Sequence, residues 1–77
     1  MLTRKAEDYL ETIYNISMQK GYVRIRDIST SLSVRPSSVI EMMKKLDERG
    51  LVIYKKYDGV KLTEKGKEIG KIVKDKH

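Results

Sequence analysis

Three residues near the two ends of the chain have side chains that could bind a divalent metal ion. Asp8 and Glu11 stand three residues apart in a segment with helical periodicity, so their carboxylates are neighbours on one helix face. The only histidine, His77, is the last residue. Carboxylates with an imidazole suit Mn(II), and the same set also accepts Fe(II), Co(II) or Zn(II). Taken alone, two acids on a polar helix face are usually solvated or interact with the helix start, and a terminal histidine usually belongs to a tail.

The composition restricts the classes of protein to which this chain can belong. Its 77 residues allow one domain, spanning residues 1–77, with a small core. Cysteine is absent, which favours a reducing compartment, and we expect a cytoplasmic protein without a signal peptide or membrane span. A net charge of +6 favours a polyanionic partner such as nucleic acid. An enzyme is not expected, because no glycine-rich phosphate loop or catalytic constellation is present.

The first half of the chain alternates helical periodicity with short connections. Apolar residues recur with helical spacing up to Gly21, which is a typical helix stop. The predicted elements are a helix over residues 3–20, a strand over 22–25, a helix over 26–32 and a turn over 33–35.

The second half predicts a helix, a hairpin and a further helix. Pro36 suits the first position of a helix, where its missing N–H costs nothing, and Gly50 ends that helix. Asp58-Gly59 is a favoured two-residue hairpin turn, and Thr63 is a good N-cap. The predicted strands cover 51–57 and 60–62, and the last helix covers 64–75. The fold class is therefore mainly α with a small β-hairpin, a winged helix-turn-helix.

The third helix is predicted to read DNA. Its apolar stripe, which should face the core, consists of Val39, Met42, Met43 and Leu46. In a winged helix the start of this helix enters the major groove, where base edges and phosphates are met by hydrogen-bond donors. The residues expected on the DNA-facing side of the helix are Arg35, Pro36, Ser37, Ser38, Ile40, Glu41, Lys44 and Lys45.

Individual positions on this surface have alternative roles. Arg35 suits bidentate pairing to a guanine or to a phosphate. Ile40 either touches a thymine methyl group or is an ordinary exposed aliphatic residue. Glu41 either accepts from a cytosine amino group or pairs with Lys45 one turn later, and we favour the pairing.

The hairpin carries three lysines around its predicted turn, namely Lys55, Lys56 and Lys61. A basic wing beside a recognition helix can reach the flanking phosphate backbone or the minor groove. Lysines on a short exposed hairpin also protect its edges from pairing with other chains. We expect the lysines to contact phosphates.

Three segments resemble the diphtheria toxin repressor family, and its manganese transport regulator branch in particular. The Leu-Thr-x-x-Gly run after the wing occurs in many winged helices, whereas Arg-Pro-Ser-Ser-Val combined with Glu-Asp-Tyr-Leu is more specific. The resemblance covers essentially the whole chain, and the segments that carry it are 6–14, 34–39 and 62–66.

The resemblance implies a metal-dependent transcriptional repressor that binds operator DNA as a homodimer. The family's ligand motif falls here on Asp8, Glu11 and His77. The metal implied is Mn(II), because the iron branch of the family usually has a methionine where Asp8 stands. Fe(II) is the alternative.

The family's remaining metal ligands and its dimer-forming helices lie beyond the position of His77. We therefore expect this chain to bind metal weakly or not at all, and to be a monomer. It would lack the interface that sets two recognition helices about 34 Å apart. A fragment of a longer regulator is the preferred interpretation, and a natural single-domain relative is the other.

Two further functions remain open at this point. The chain could be a winged-helix protein-interaction module whose third helix meets an acidic protein, or a DNA-binding regulator that needs no metal. Gly66 and Gly70, one turn apart in the last predicted helix, are expected to permit close helix packing.

Overall fold

The chain folds into the predicted order of helices and hairpin, with one exception near residue 23. The computed structural model describes residues 2–76. No helix in that range is both long and apolar enough to cross a membrane. The elements are α1 (Arg4–Lys20), α2 (Ile25–Leu32), α3 (Pro36–Glu48), β1 (Val52–Lys55), β2 (Gly59–Leu62) and α4 (Glu64–Asp75).

The apolar face of α1 lies at the centre of the hydrophobic core. The apolar residues that recur along α1 are all buried, namely Ala6, Tyr9, Leu10, Ile13 and Ile16, and Ser17, predicted on the same stripe, is half-buried. Complete burial of a leucine or isoleucine is worth about 1.5–3 kcal/mol. The other elements and their connections contribute the buried residues Val23, Ile28, Val39, Met43, Leu46, Leu51, Val52 and Val60.

Threonine hydroxyls cap the first and last helices. The Thr3 Oγ1 accepts from the Ala6 N–H at 3.1 Å, and the Thr63 Oγ1 accepts from the Gly66 N–H at 3.0 Å. Each bond satisfies one of the amides that have no partner inside the helix. Thr63 also donates to the Gly50 carbonyl at 2.7 Å, so the start of α4 is tied to the end of the α3 segment.

The hairpin turn begins two residues earlier than the sequence predicts and is one residue longer. β1 and β2 pair antiparallel, with Lys55 opposite Gly59. The turn covers residues 56–58 and is closed by the Asp58 N–H donating to the Lys55 carbonyl at 3.1 Å. Gly59 belongs to β2 with a φ of 92°, so the predicted two-residue turn Asp58-Gly59 is wrong.

The predicted strand over 22–25 is reduced to a single bridge between Val23 and Val60. The Val60 N–H donates to the Val23 carbonyl at 2.8 Å. The next residue, Arg24, instead serves the start of α2: its N–H donates to the Asp27 carboxylate and its carbonyl accepts from the Asp27 N–H. Because these groups are used in the helix cap, the strand cannot continue.

Two glycines let α4 pack closely against its neighbours, as predicted. A Cβ atom at Gly66 would overlap the Leu51 carbonyl oxygen, and one at Gly70 would lie 3.0 Å from the Tyr14 Cβ. Both positions are buried. The backbone of α4 therefore lies directly on α1 and on the segment that leads into β1.

Replacing Gly66 by alanine is expected to destabilise the fold. Alanine favours a helix by about 1 kcal/mol over glycine, but the added methyl group meets a backbone carbonyl that cannot rotate away. We expect a net loss of roughly 2 kcal/mol in the free energy of unfolding, measured by urea denaturation. Lys67→Ala, an exposed change at the next position, is the control. A Gly66→Ala variant as stable as the wild type would contradict this packing.

Candidate nucleic-acid interface

The turn between α2 and α3 is fixed by hydrogen bonds that determine how α3 is presented. The Ser29 hydroxyl donates to the Val34 carbonyl at 2.6 Å, and the Val34 N–H donates to the Ser29 carbonyl at 3.1 Å. Ser33 occupies the left-handed region with a φ of 55°. A turn held at both ends in this way gives α3 a defined direction relative to α2.

The two faces of α3 divide as predicted. Val39, Met43 and Leu46 are buried and Met42 is partly buried against the core. The exposed side includes most of the residues predicted to face DNA: Arg35, Pro36, Ser37, Ser38, Glu41, Lys44 and Lys45.

The N-terminus of α3 has no side-chain cap. Arg35 occupies the N-cap position, and its carbonyl accepts from the Ser38 and Val39 N–H groups. In the other helices of residues 2–76, Thr3, Thr63 or the Asp27 carboxylate accepts from a backbone amide at the helix start. The α3 start therefore presents exposed serines and an arginine to an acceptor from outside the chain, at the positive end of the helix dipole.

Two predictions on this face need correction. Ile40 is half-buried instead of exposed, because it lies at the edge of the apolar stripe beside the buried Val39. The Glu41–Lys45 pair is not formed among residues 2–76, where the ion pairs include Lys20–Asp27 and Glu64–Lys67. Both side chains of the expected pair are exposed, and solvation of two long side chains competes with such a contact.

The wing adds a second group of cations. Lys55, Lys56 and Lys61 are all exposed. Sequence reasoning missed Tyr57, which lies in the turn at the tip of the wing with 90% of its surface exposed. The Lys56 ammonium lies 5.6 Å from the centre of the Tyr57 ring. An aromatic residue in the hairpin, directly after two lysines, was the available signal.

The predicted metal ligands are only partly described. Asp8 and Glu11 are both half-buried on α1, whereas His77 lies outside the described residues. Within residues 2–76 no group of three histidine, cysteine, aspartate or glutamate side chains could hold a metal ion. α4 crosses α1 at Leu10 and Tyr14: Gly70 approaches the Leu10 carbonyl, and the Lys74 ammonium lies 5.7 Å from the Tyr14 ring centre.

An ion pair fixes α2 against the end of α1. The Lys20 ammonium donates to the Asp27 carboxylate at 2.9 Å, and the second carboxylate oxygen accepts from the Arg24 N–H at 3.1 Å. The hydrogen bond from Lys20, with the smaller contribution of the Arg24 N–H, lowers the pKa of Asp27 below its ordinary value. One carboxylate thus connects two helices and caps the second.

These features define a winged-helix DNA-binding domain, with an open recognition-helix start and a basic wing on one chain. Residues 1–60 match the family described as "Iron dependent repressor, N-terminal DNA binding domain". The chain belongs to this family.

Relatives and solved structures agree with that membership. The chain is 49% identical over 77 residues to the HTH-type transcriptional regulator MntR of Bacillus subtilis, covering all of this chain and 54% of the relative. It is 47% identical to the MntR of Lysinibacillus sphaericus, of which it covers 55%. The crystal structure of T. acidophilum IdeR superposes with a TM-score of 0.73 at 32% identity, covering 86% of this chain and 30% of that one. The chain spans about half the length of the curated relatives it matches.

The Lys20–Asp27 pair predicts a pH dependence of stability. The pKa of Asp27 is lower in the folded state than its unfolded value of about 3.9. The ionised Asp27 carboxylate therefore contributes fully to the free energy of unfolding above that pH. This contribution is lost as the pH falls towards the folded pKa. Asp27→Asn should therefore lower the free energy of unfolding at neutral pH, and the difference from wild type should shrink below about pH 4.

Urea denaturation at a series of pH values measures this difference. Glu64→Gln is the matched control, because Glu64 is almost fully exposed and its contact with Lys67 spans 4.0 Å, so its removal should change little. A constant difference between wild type and Asp27→Asn across the acid range would contradict the lowered pKa.

Proposed function

We propose that this chain is the DNA-reading domain of a metal-dependent transcriptional repressor, with α3 in the major groove of its operator. The observation that carries the proposal is the uncapped start of α3, where Arg35, Ser37 and Ser38 are exposed together. A free helix N-terminus with such donors binds phosphate oxygens or base edges. Family membership supports the same assignment.

The remaining contacts are assigned from position along α3 and the wing. Arg35 reads a guanine or holds a phosphate, and Pro36 starts the helix without presenting an N–H group. Lys44 and Lys45 approach the backbone, together with the wing residues Lys55, Lys56 and Lys61. Ile40 and Glu41 border this surface. Ile40 is assigned to contact a thymine methyl group, and Glu41 to accept from a cytosine amino group.

The proposed metal ligands are Asp8, Glu11 and His77, with Mn(II) as the metal and Fe(II) as an alternative. Two carboxylates and an imidazole are a donor set that these ions accept. The half-burial of both acids on α1 supports the assignment. Bound metal would supply positive charge beside the carboxylates of α1.

The complete regulator is proposed to be a cytoplasmic homodimer without enzymatic activity. The relatives that this chain matches are transcriptional regulators roughly twice as long as the chain itself. Further ligands and the dimer interface are assigned to the part of the relatives that this chain does not cover. The 77-residue chain by itself is then a monomer that binds metal weakly or not at all.

DNA binding is tested with duplex DNA at a series of salt concentrations, measured by fluorescence anisotropy. Arg35→Ala should weaken operator binding by about 1–3 kcal/mol. A loss confined to one base position identifies a base contact, and a uniform loss across sequences identifies a phosphate contact. Arg49→Ala removes the same charge at the other end of α3 and is the control.

A chain that binds no duplex even at low salt would exclude the DNA-reading function. Binding to an acidic protein under the same conditions would then favour the protein-interaction module. Equal losses for the two arginine variants would instead show that only the net charge of the chain matters.

Metal binding is tested by titrating Mn(II) into this chain and into the Bacillus subtilis relative. We expect this chain to bind Mn(II) more weakly than the relative does. The difference in affinity should exceed the roughly 10–100-fold that is lost when one outer-shell partner of a metal ligand is removed. Asp8→Asn, Glu11→Gln and His77→Ala should each reduce the residual binding, whereas Glu7→Gln, a neighbouring half-buried acid, should not. Tight stoichiometric binding by the 77-residue chain would contradict the incomplete site.

A further inference from the structure

A row of exposed cations continues beyond the wing onto the connection between α1 and α2. The bridge between Val23 and Val60 places this connection beside β2, with both valines buried. Because successive residues of extended chain point to opposite faces, Tyr22 and Arg24 face away from the core. Tyr22 is 54% exposed and Arg24 is also exposed.

Arg24, Gly59 and Lys55 lie side by side across three neighbouring segments. Lys55 is opposite Gly59 in the hairpin register, and a Cβ atom at Gly59 would lie 3.9 Å from the Arg24 Cα. That Cβ would also lie 2.5 Å from the Val23 carbonyl oxygen, so glycine is required for this approach. Gly59, which lies between them, has no side chain, and the backbones of Arg24 and Lys55 are about two strand spacings, roughly 10 Å, apart.

A hollow of about 290 Å³ lies over Gly59. Its lining includes the wing lysines Lys55 and Lys61, the apolar Ile53 and the carboxylate of Asp58. Two cations and one acid thus line the hollow at Gly59, and Arg24 stands on the adjacent segment outside the lining. The local charge remains positive and suits an anionic ligand.

The Tyr22 ring lies beside the Arg24 guanidinium and carries no charge that would neutralise it. The Arg24 guanidinium carbon lies 5.5 Å from the centre of the Tyr22 ring, and the Lys20 ammonium lies 5.2 Å from the same ring. Lys20 is already paired with Asp27. The Arg24 guanidinium forms no ion pair in residues 2–76, although its charge acts on the Asp27 carboxylate from a longer distance and helps to lower the pKa of that group. A guanidinium held over an aromatic ring loses less freedom on binding, and its planar fork matches two phosphate oxygens.

We propose that Arg24, positioned by Tyr22, binds a backbone phosphate of duplex DNA alongside the wing lysines. This inference rests on the proposed DNA-binding function and extends it to a residue outside α3 and the hairpin. The contact carries no base specificity, because a phosphate is the same in every sequence. It widens the DNA surface from the wing towards the start of α2.

The test measures binding of the 77-residue chain to mixed-sequence duplex DNA by anisotropy over a range of salt concentrations. Loss of one phosphate contact should reduce the slope of log affinity against log salt by about 0.9. Arg24→Ala should show this reduction and weaker binding to every sequence. Lys71→Ala removes the same charge from the groove between α1 and α4 and should keep the wild-type slope.

Further variants separate charge from geometry. Arg24→Lys should keep the slope but bind more weakly, because an ammonium lacks the two-pronged geometry of the guanidinium. Tyr22→Leu should weaken binding in the wild type but not in the Arg24→Ala background, since a positioning residue acts only through the group that it holds. Thermal unfolding of each variant checks that the α2 cap, which uses the Arg24 backbone, is retained.

The outcomes distinguish the two proposals. A wild-type chain with no affinity for duplex DNA overturns the proposed function, and this contact with it. Normal wild-type binding with the same slope for Arg24→Ala and Lys71→Ala overturns the Arg24 contact alone. Additive losses for Tyr22→Leu and Arg24→Ala would overturn the positioning role of Tyr22.

Discussion

The buried face of α1 is the constraint on which the other elements depend. Leu10 and Ile13 are completely buried, and α2, α4 and β2 all pack against this helix. A chain of 77 residues has room for one small core. The elements that do not touch α1 directly join the same core through its neighbours, as α3 does by packing against α2 and β1. The exposed sides of α3 and the wing are the surfaces of these elements that do not contribute to this core. Their positions therefore follow from how the core packs.

Short polar contacts then set the wing and α3 relative to each other. The Asp47 carboxylate accepts from the Tyr54 N–H at 2.9 Å, which joins the end of α3 to β1. The Thr63 N–H donates to the Leu51 carbonyl at 3.1 Å, and Val60 is bonded to Val23. These bonds are individually modest, each contributing about 0.5–1.5 kcal/mol net. Together they hold the two cationic surfaces in a fixed relation, as binding to one duplex requires.

Sequence periodicity predicted the helices to within one residue because each carries a regular apolar stripe and clear end signals such as Gly21 and Pro36. It failed where backbone groups had a choice of partners. Residues 22–25 have strand-forming side chains, but Arg24 uses its N–H and carbonyl in the cap of α2. Likewise, the position of the hairpin turn depended on the approach of Gly59 to Val23, a contact between residues far apart in the chain.

The sequence by itself determined the fold class, the core residues and the exposed donors at the start of α3, because these depend on local periodicity and residue chemistry. It also provided the acids Asp8 and Glu11 as candidate ligands, which remain a prediction. Only the tertiary structure decided that the start of α3 has no cap, that Ile40 is half-buried, and that Arg24 lies beside the wing. The position of Arg24 in particular depends on where distant segments meet, because the bridge between Val23 and Val60 brings it beside Gly59.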